Sequence, residues 1–295
     1  MIEVEHIGGQ INDTPGDFDY LFRLWERFNA ARVEVSFDLT WCRFLRQNAV
    51  AFLGGLARLI QHRGGQVHFN WSTRDDAVAM NLAQNGFIAA FGGSRQPWAG
   101  NSIPFREDAV QDAHDFRRYL SELWLGRGWV NVSPGLRDAI VGHMVEIYLN
   151  AFDHGQSPIG VFTCGQHFPK KQELNLTIVD FGVGIPSNVR LFKSRQYTPA
   201  QLSGKTCMEW AFQAGTTTKP GTARGLGLDL LREFVQKNRG RLEMFSHEGY
   251  TVIAEGATTH AERKTFFEGT LVNVCLRCDE SYYCLASESI KRPPF

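Results

Sequence analysis

One stretch, LNLTIVDFGVGIP (174–186), constrains this chain more than any other. Leu174, Leu176 and Ile178 alternate as the inward face of a buried strand. The strand delivers a carboxylate, Asp180, at its C-terminal end, and Gly182 and Gly184 then permit φ > 0 and close approach of backbone to a ligand. A carboxylate so placed can accept a hydrogen bond from an exocyclic amine such as that of adenine. Taken alone, an ordinary strand and turn would read the same way.

Two further stretches carry chemistry. Ser133-Pro134 is a helix start, with serine as N-cap and proline at the first helical position. The helix it opens runs through Leu136, Ile140, Met144 and Ile147 to about Phe152. Its segment MVEIYLNAFDHG sets Glu146, Asn150 and His154 at i, i+4 and i+8, on one side of an otherwise apolar helix. A glutamate there needs a polar partner or a ligand, since an unpaired buried charge costs several kcal/mol. A solvated helix face is the plainer alternative. In GTARGLGLDLLREFV (221–235), glycines precede a helix, so free N–H groups and the positive end of the helix dipole face one spot that attracts phosphate.

In this order and spacing, E-x-x-x-N-A-x-x-H, D-x-G-x-G and G-L-G-L resemble the GHKL superfamily, the ATP-binding fold of histidine kinases, anti-sigma-factor kinases, gyrase, mismatch-repair and chaperone ATPases. The resemblance covers about residues 107–278. It implies Asn150 as a Mg²⁺ ligand and Glu146 as the group that polarises an attacking water or hydroxyl. It makes Asp180 the adenine-reading carboxylate, with Gly182 and Gly184 in the turn beneath the base, and counts His154 and Ile185 among the nucleotide-binding residues. Gly225, Leu226, Gly227 and Leu228 match the phosphate loop, and Thr270 in FEGTLVNVCL matches a threonine near the adenine. The segment 187–224 becomes an ATP lid from which Thr217, Thr218 and Lys219 reach the phosphates. Where many members have a further glycine, this chain has Ala223-Arg224, and Arg224 is expected to contact phosphate.

The first hundred residues read as alternating β and α. Strands are expected at 33–39 and 66–71, and helices from Phe44 to His62 and over 75–85. The glycine- and proline-rich loop 92–104 is a domain boundary by composition. This region resembles, more faintly, a STAS domain, the anti-sigma-antagonist fold. The stretch matching its regulated serine, Arg46-Gln47-Asn48-Ala49, has no hydroxyl; Gln47 and Asn48 remain to cap the helix or touch a partner. Beyond the boundary, helices are expected at 107–125, 133–152 and 226–238, and strands at 173–180, 241–246, 249–255 and 269–277. The expected fold is thus α+β: a two-layer α/β sandwich of the GHKL type with a mixed sheet over 105–280, a small α/β STAS-like domain over 1–100, and a tail from 281 to 295.

Composition bounds the function classes. The 31 basic and 31 acidic residues cancel, which removes the electrostatic signature of a dedicated nucleic-acid or anionic-membrane binder. No apolar run is long enough for a membrane span. The acidic N-terminus lacks the pattern of a secretory signal, so a cytoplasmic location is expected. Cys275, Cys278 and Cys284 include one C-x-x-C pair, short of a complete zinc set. The expected function is an ATP- and Mg²⁺-binding signalling protein, either an ATPase or a protein (serine) kinase acting on a partner. The alternative is a nucleotide-gated binding switch with little turnover. Expected partners are ATP or ADP and either a second protein or the chain's own N-terminal region, with a homodimer also open. His114 is the one candidate phosphoacceptor of histidine-kinase type, on a single helix rather than a hairpin.

Overall fold

A computed structural model describes residues 2–194, 196–198, 201–213 and 229–289. In chain order the N-terminal region holds β1 (Glu3–His6), β2 (Gly9–Ile11), α1 (Pro15–Phe28), β3 (Glu34–Asp38), β4 (Cys42–Leu45), α2 (Gln47–His62), β5 (Gln66–Asn70), α3 (Asp76–Gln84) and α4 (Phe87–Ala90). Next come β6 (Ser102–Asp108), α5 (Ala113–Tyr119), α6 (Pro134–Asn150), β7 (Val161–Phe168), β8 (Glu173–Asp180), α7 (Gly184–Lys193) and α8 (Gly204–Ala211). The chain closes with α9 (Asp229–Lys237), β9 (Arg241–Ser246), β10 (Gly249–Ala254), β11 (Ala257–Glu262), β12 (Thr270–Arg277) and α10 (Ala286–Ser289).

The frame is a seven-stranded sheet in the order β11-β10-β9-β12-β8-β7-β6. Every neighbouring pair in it is antiparallel, so the sheet is not the mixed one expected. The molecule is accordingly α+β. Period-two alternation divides the sheet's residues between two cores. Leu174, Leu176, Ile178, Val272 and Val274 point toward α5, α6 and α9, meeting Phe116, Met144, Tyr148 and Leu231. Val179, Phe181, Phe245 and Leu271 point the other way, toward α1 and α2, meeting Phe22, Phe52 and Leu56.

Helix α2 is therefore covered on both sides, by the large sheet and by a parallel three-stranded sheet, β1-β3-β5. That explains why its sequence is apolar nearly all round. Gly54 and Gly55 let it come close: a Cβ added at Gly55 would sit 2.1 Å from Phe181 Cε2. The stretches on either side of 92–104 thus share one apolar core, and β6 lies within the large sheet.

Several boundaries differ from expectation for local reasons. The stretch from 107 does not start a helix: Ser102–Asp108 is a strand, tied by Arg106 to Asp108 and Asp115, and helix begins only after the Asp112 cap. Helix α1 is an element beyond those expected, yet Thr14-Pro15 with Asp17 carries a start signal like that of Ser133-Pro134, and Thr14 N donates to Asp17 Oδ2 at 3.0 Å. Helix α8 and most of α7 fall in the segment 187–224 expected as a lid; Ser203 Oγ caps α8 by accepting from Thr206 N at 3.2 Å. The tail is not loose up to Ser289: Tyr283 pairs with Val132, and Glu288 accepts from Gly135 N at 3.1 Å and from Ser133 Oγ at the start of α6.

Candidate functional site

Asp180, Thr270 and Ser246 stand side by side at the ends of β8, β12 and β9, as successive partners in the ladder. All three share the parity of Leu176, Val272 and Met244, which places them on the face that carries α6. Asp180 is 2% exposed. Burial pushes its carboxyl up to about 7, against the opposing pull of backbone N–H groups of Gly182 and Thr270. Ser246 Oγ lies 3.2 Å from Thr270 Oγ1, donates to Gly269 O at 2.9 Å and accepts from Ile185 N at 2.9 Å.

The turn after Asp180 closes on its own carboxylate, with Gly182 N donating to Asp180 Oδ1 at 2.9 Å. Both glycines are required, and the backbone they admit belongs to the protein. A Cβ added at Gly182 would fall 1.9 Å from Gly155 O; one at Gly184, where φ is +71°, would fall 2.2 Å from Glu268 O. The expected close approach is therefore to neighbouring chain.

Helix α6 ends beside this turn. Ser133 Oγ accepts from Leu136 N at 3.2 Å, as the sequence predicts. Glu146 and Asn150 are half-buried on its last two turns. After Asn150 the backbone widens into a π-helical turn, Ala151–Gly155, so His154 does not continue the 3.6-residue repeat assumed for the stripe. The π turn instead brings Gly155 onto the strand end. Val183 N donates to Gly155 O at 2.7 Å, and a Cβ added at Gly155 would lie 3.0 Å from Asp180 Oδ1. The carbonyl of His154 accepts from Asn188 Nδ2 at 2.9 Å, linking the same turn to α7.

A third element enters from α9. Burial lowers the pKa of His143, one turn before Glu146, while the carboxylates of Glu146 and Asp229 pull it upward. Asp229, in α9, therefore lies near the Glu146 side of α6. The structure thus brings the backbone of His154 and Gly155 together with Asp180, Gly182, Gly184, Ile185 and Thr270, while Glu146 and Asn150 lie farther back along α6. Thr217, Thr218, Lys219, Arg224, Gly225, Leu226, Gly227 and Leu228 lie outside the described residues.

Sequence reasoning missed Ser246 and His247. Ser246 was legible in principle, because it shares parity with Leu242 and Met244 and ends a strand. His247 has no such signal.

Among the described residues no group of three or more His, Cys, Asp or Glu comes together to hold a metal ion. Cys275 is buried on the α2 side of the sheet, with its thiol pushed up to about 12 by burial. No helix among the described residues is long and apolar enough to cross a membrane.

No family model matches the chain, and no curated protein matches it. The functional reading therefore rests on the site itself.

Proposed function

We propose that the chain binds ATP with Mg²⁺ in the manner of the GHKL fold, as a signalling protein that hydrolyses ATP or passes its phosphate to a protein partner. One observation carries the reading: Gly155, at the end of the helix bearing Glu146 and Asn150, abuts the Asp180 carboxyl. The end of that helix and the strand-end acid, distant in sequence, therefore meet. Thr270 and Ser246 add hydroxyls beside the acid, where a purine edge needs hydrogen-bonding partners. Asn150 offers a neutral amide oxygen, the hard donor that suits Mg²⁺ shared with phosphate oxygens. Bound magnesium neutralises charge on the β- and γ-phosphates. Glu146, one turn earlier, is placed to orient a water or hydroxyl.

Calorimetric titration with ATP and Mg²⁺ tests this. Wild type is expected to bind, and Asn150→Ala to lose the magnesium-dependent part. Unchanged affinity in Asn150→Ala contradicts the magnesium assignment. Glu146→Ala is expected to abolish phosphate release while still binding nucleotide.

A second reading, a nucleotide-gated switch, draws on the apolar surface of α7 and the residues just beyond its C-terminal end. Leu191 is 76% exposed, Phe192 49% and Tyr197 44%. Absence of phosphate release and of label transfer from wild type, with binding intact, favours the switch.

A further inference from the structure

We propose that His247 is a positioning residue for the purine end of the site, latching the Gly182–Gly184 turn in place; this rests on the nucleotide reading above. The starting observation is backbone geometry. Arg32, Gln156, Gln172, Arg239, His247 and Glu255 are the non-glycine residues with positive φ among those described. His247, at φ +54°, is buried, and the other five are exposed. A bulky residue held left-handed and buried persists only where its surroundings over-determine it.

Those surroundings are the turn beneath the proposed base. His247 Nε2 lies 2.9 Å from Val183 O, and because a carbonyl only accepts, Nε2 carries the proton and donates. Nδ1 is then the acceptor for Arg190 Nη1 at 3.4 Å. Burial lowers the imidazole's pKa, which favours this neutral form. The ring packs so tightly that a Cβ added at Gly184 would lie 2.7 Å from His247 Cδ2. Val183 is thus held at both polar groups of its backbone: its N–H by Gly155 O at 2.7 Å and its carbonyl by His247. Through Gly155 the latch reaches Asp180 and the end of α6. Arg190 extends it the other way, donating to Leu202 O at 2.9 Å and pairing with Glu248.

A residue that only stabilises the fold would weaken every ligand alike. A latch on the purine side discriminates. The test titrates wild type, His247→Ala and His247→Gln with ATP, adenosine and inorganic triphosphate by calorimetry, alongside ligand-free thermal unfolding. Glutamine can donate to Val183 O and accept from Arg190, so His247→Gln is expected to retain affinity. His247→Ala is expected to bind ATP and adenosine about tenfold more weakly, a loss of about 1.4 kcal/mol, with triphosphate binding unchanged. Should the alanine variant not fold, His247→Asn keeps a residue that tolerates left-handed backbone but is too short to reach Val183 O; it must show the same selective loss. Equal weakening for triphosphate, or undiminished ATP affinity in a folded variant, overturns the proposal. A wild-type chain that binds none of the three ligands overturns the nucleotide reading itself, and the latch with it.

Discussion

The two faces of the seven-stranded sheet are buried by different means. Under α5, α6 and α9 the contact is mainly apolar away from the strand ends that carry Asp180, with Phe116 stacked on Tyr148 at 4.1 Å between ring centroids. Under α1 and α2 it is divided. One half is aromatic, where Phe181, Phe52 and Phe267 interlock with centroids 5.2–5.3 Å apart. The other half is polar and buried. Gln47 Nε2 donates to Asn273 Oδ1 at 3.1 Å, Thr177 Oγ1 donates to the same oxygen at 2.8 Å, and Asn273 Nδ2 donates to Glu243 Oε2 at 3.2 Å. Arg46, 2% exposed, bridges Asp13 and Glu173 at the rim of this network. An apolar face accepts any helix of the right shape. A buried polar face accepts only one that completes its hydrogen bonds, so it fixes which helix docks and in what register.

The largest effects should separate the two faces. Phe116→Ala leaves a cavity and should cost about 3–5 kcal/mol in urea unfolding. Arg46→Ala should cost a similar amount, about 3–5 kcal/mol, because Asp13 and Glu173 lose a buried partner. The triple change Asp13→Asn, Arg46→Met, Glu173→Gln should recover most of the second loss, whereas nothing comparable rescues the first. If the triple variant is no more stable than Arg46→Ala, the polar half is not an electrostatic lock.

The next effect concerns Asp180 on the α6 face. Its folded pKa of about 7 lies above the ordinary value of 3.8, so the folded chain holds that proton more tightly than the unfolded one. The resulting stability is full below the unfolded pKa and is lost as pH rises through the folded pKa. Asp180→Asn should therefore gain on wild type between about pH 4 and pH 8, by on the order of 4 kcal/mol. A constant difference across that range contradicts the burial argument.

The smallest concerns the aromatic half. Gly55→Ala drives a methyl into Phe181 and should cost about 1–3 kcal/mol, with part recovered by adding Phe181→Leu. No coupling between the two would mean that the notch in α2 is not what seats Phe181.

What the sequence made legible falls along the same division. The apolar face could be read: Ser133-Pro134 started α6 where expected, and Leu174, Leu176 and Ile178 gave a strand ending at Asp180. Those signals are periodic and local. Strand β7 is hard to read because Thr163, Cys164, Gly165 and Gln166 blur the alternation, though the strand lies inside the sheet between β8 and β6. Gln47 and Asn48 read as a cap or a partner contact. Instead Gln47 bonds to this chain's own sheet, and Asn48 Nδ2 donates to Asn12 O at 2.8 Å. Nothing local foretells that, since the partners of Gln47 come from strands far along the chain. Likewise, Ser246 joins Asp180 only through the registers of β9 with β12 and of β12 with β8, and His247 acts through a carbonyl.

Thermal unfolding of wild type and Asp180→Ala across a series of ATP concentrations with Mg²⁺ is the most direct test. Ligand linkage raises Tm with ligand concentration once it exceeds Kd. Nucleotide binding at the strand end predicts a rise in wild type that disappears in Asp180→Ala. A flat wild-type response, or an equal rise in the variant, contradicts it.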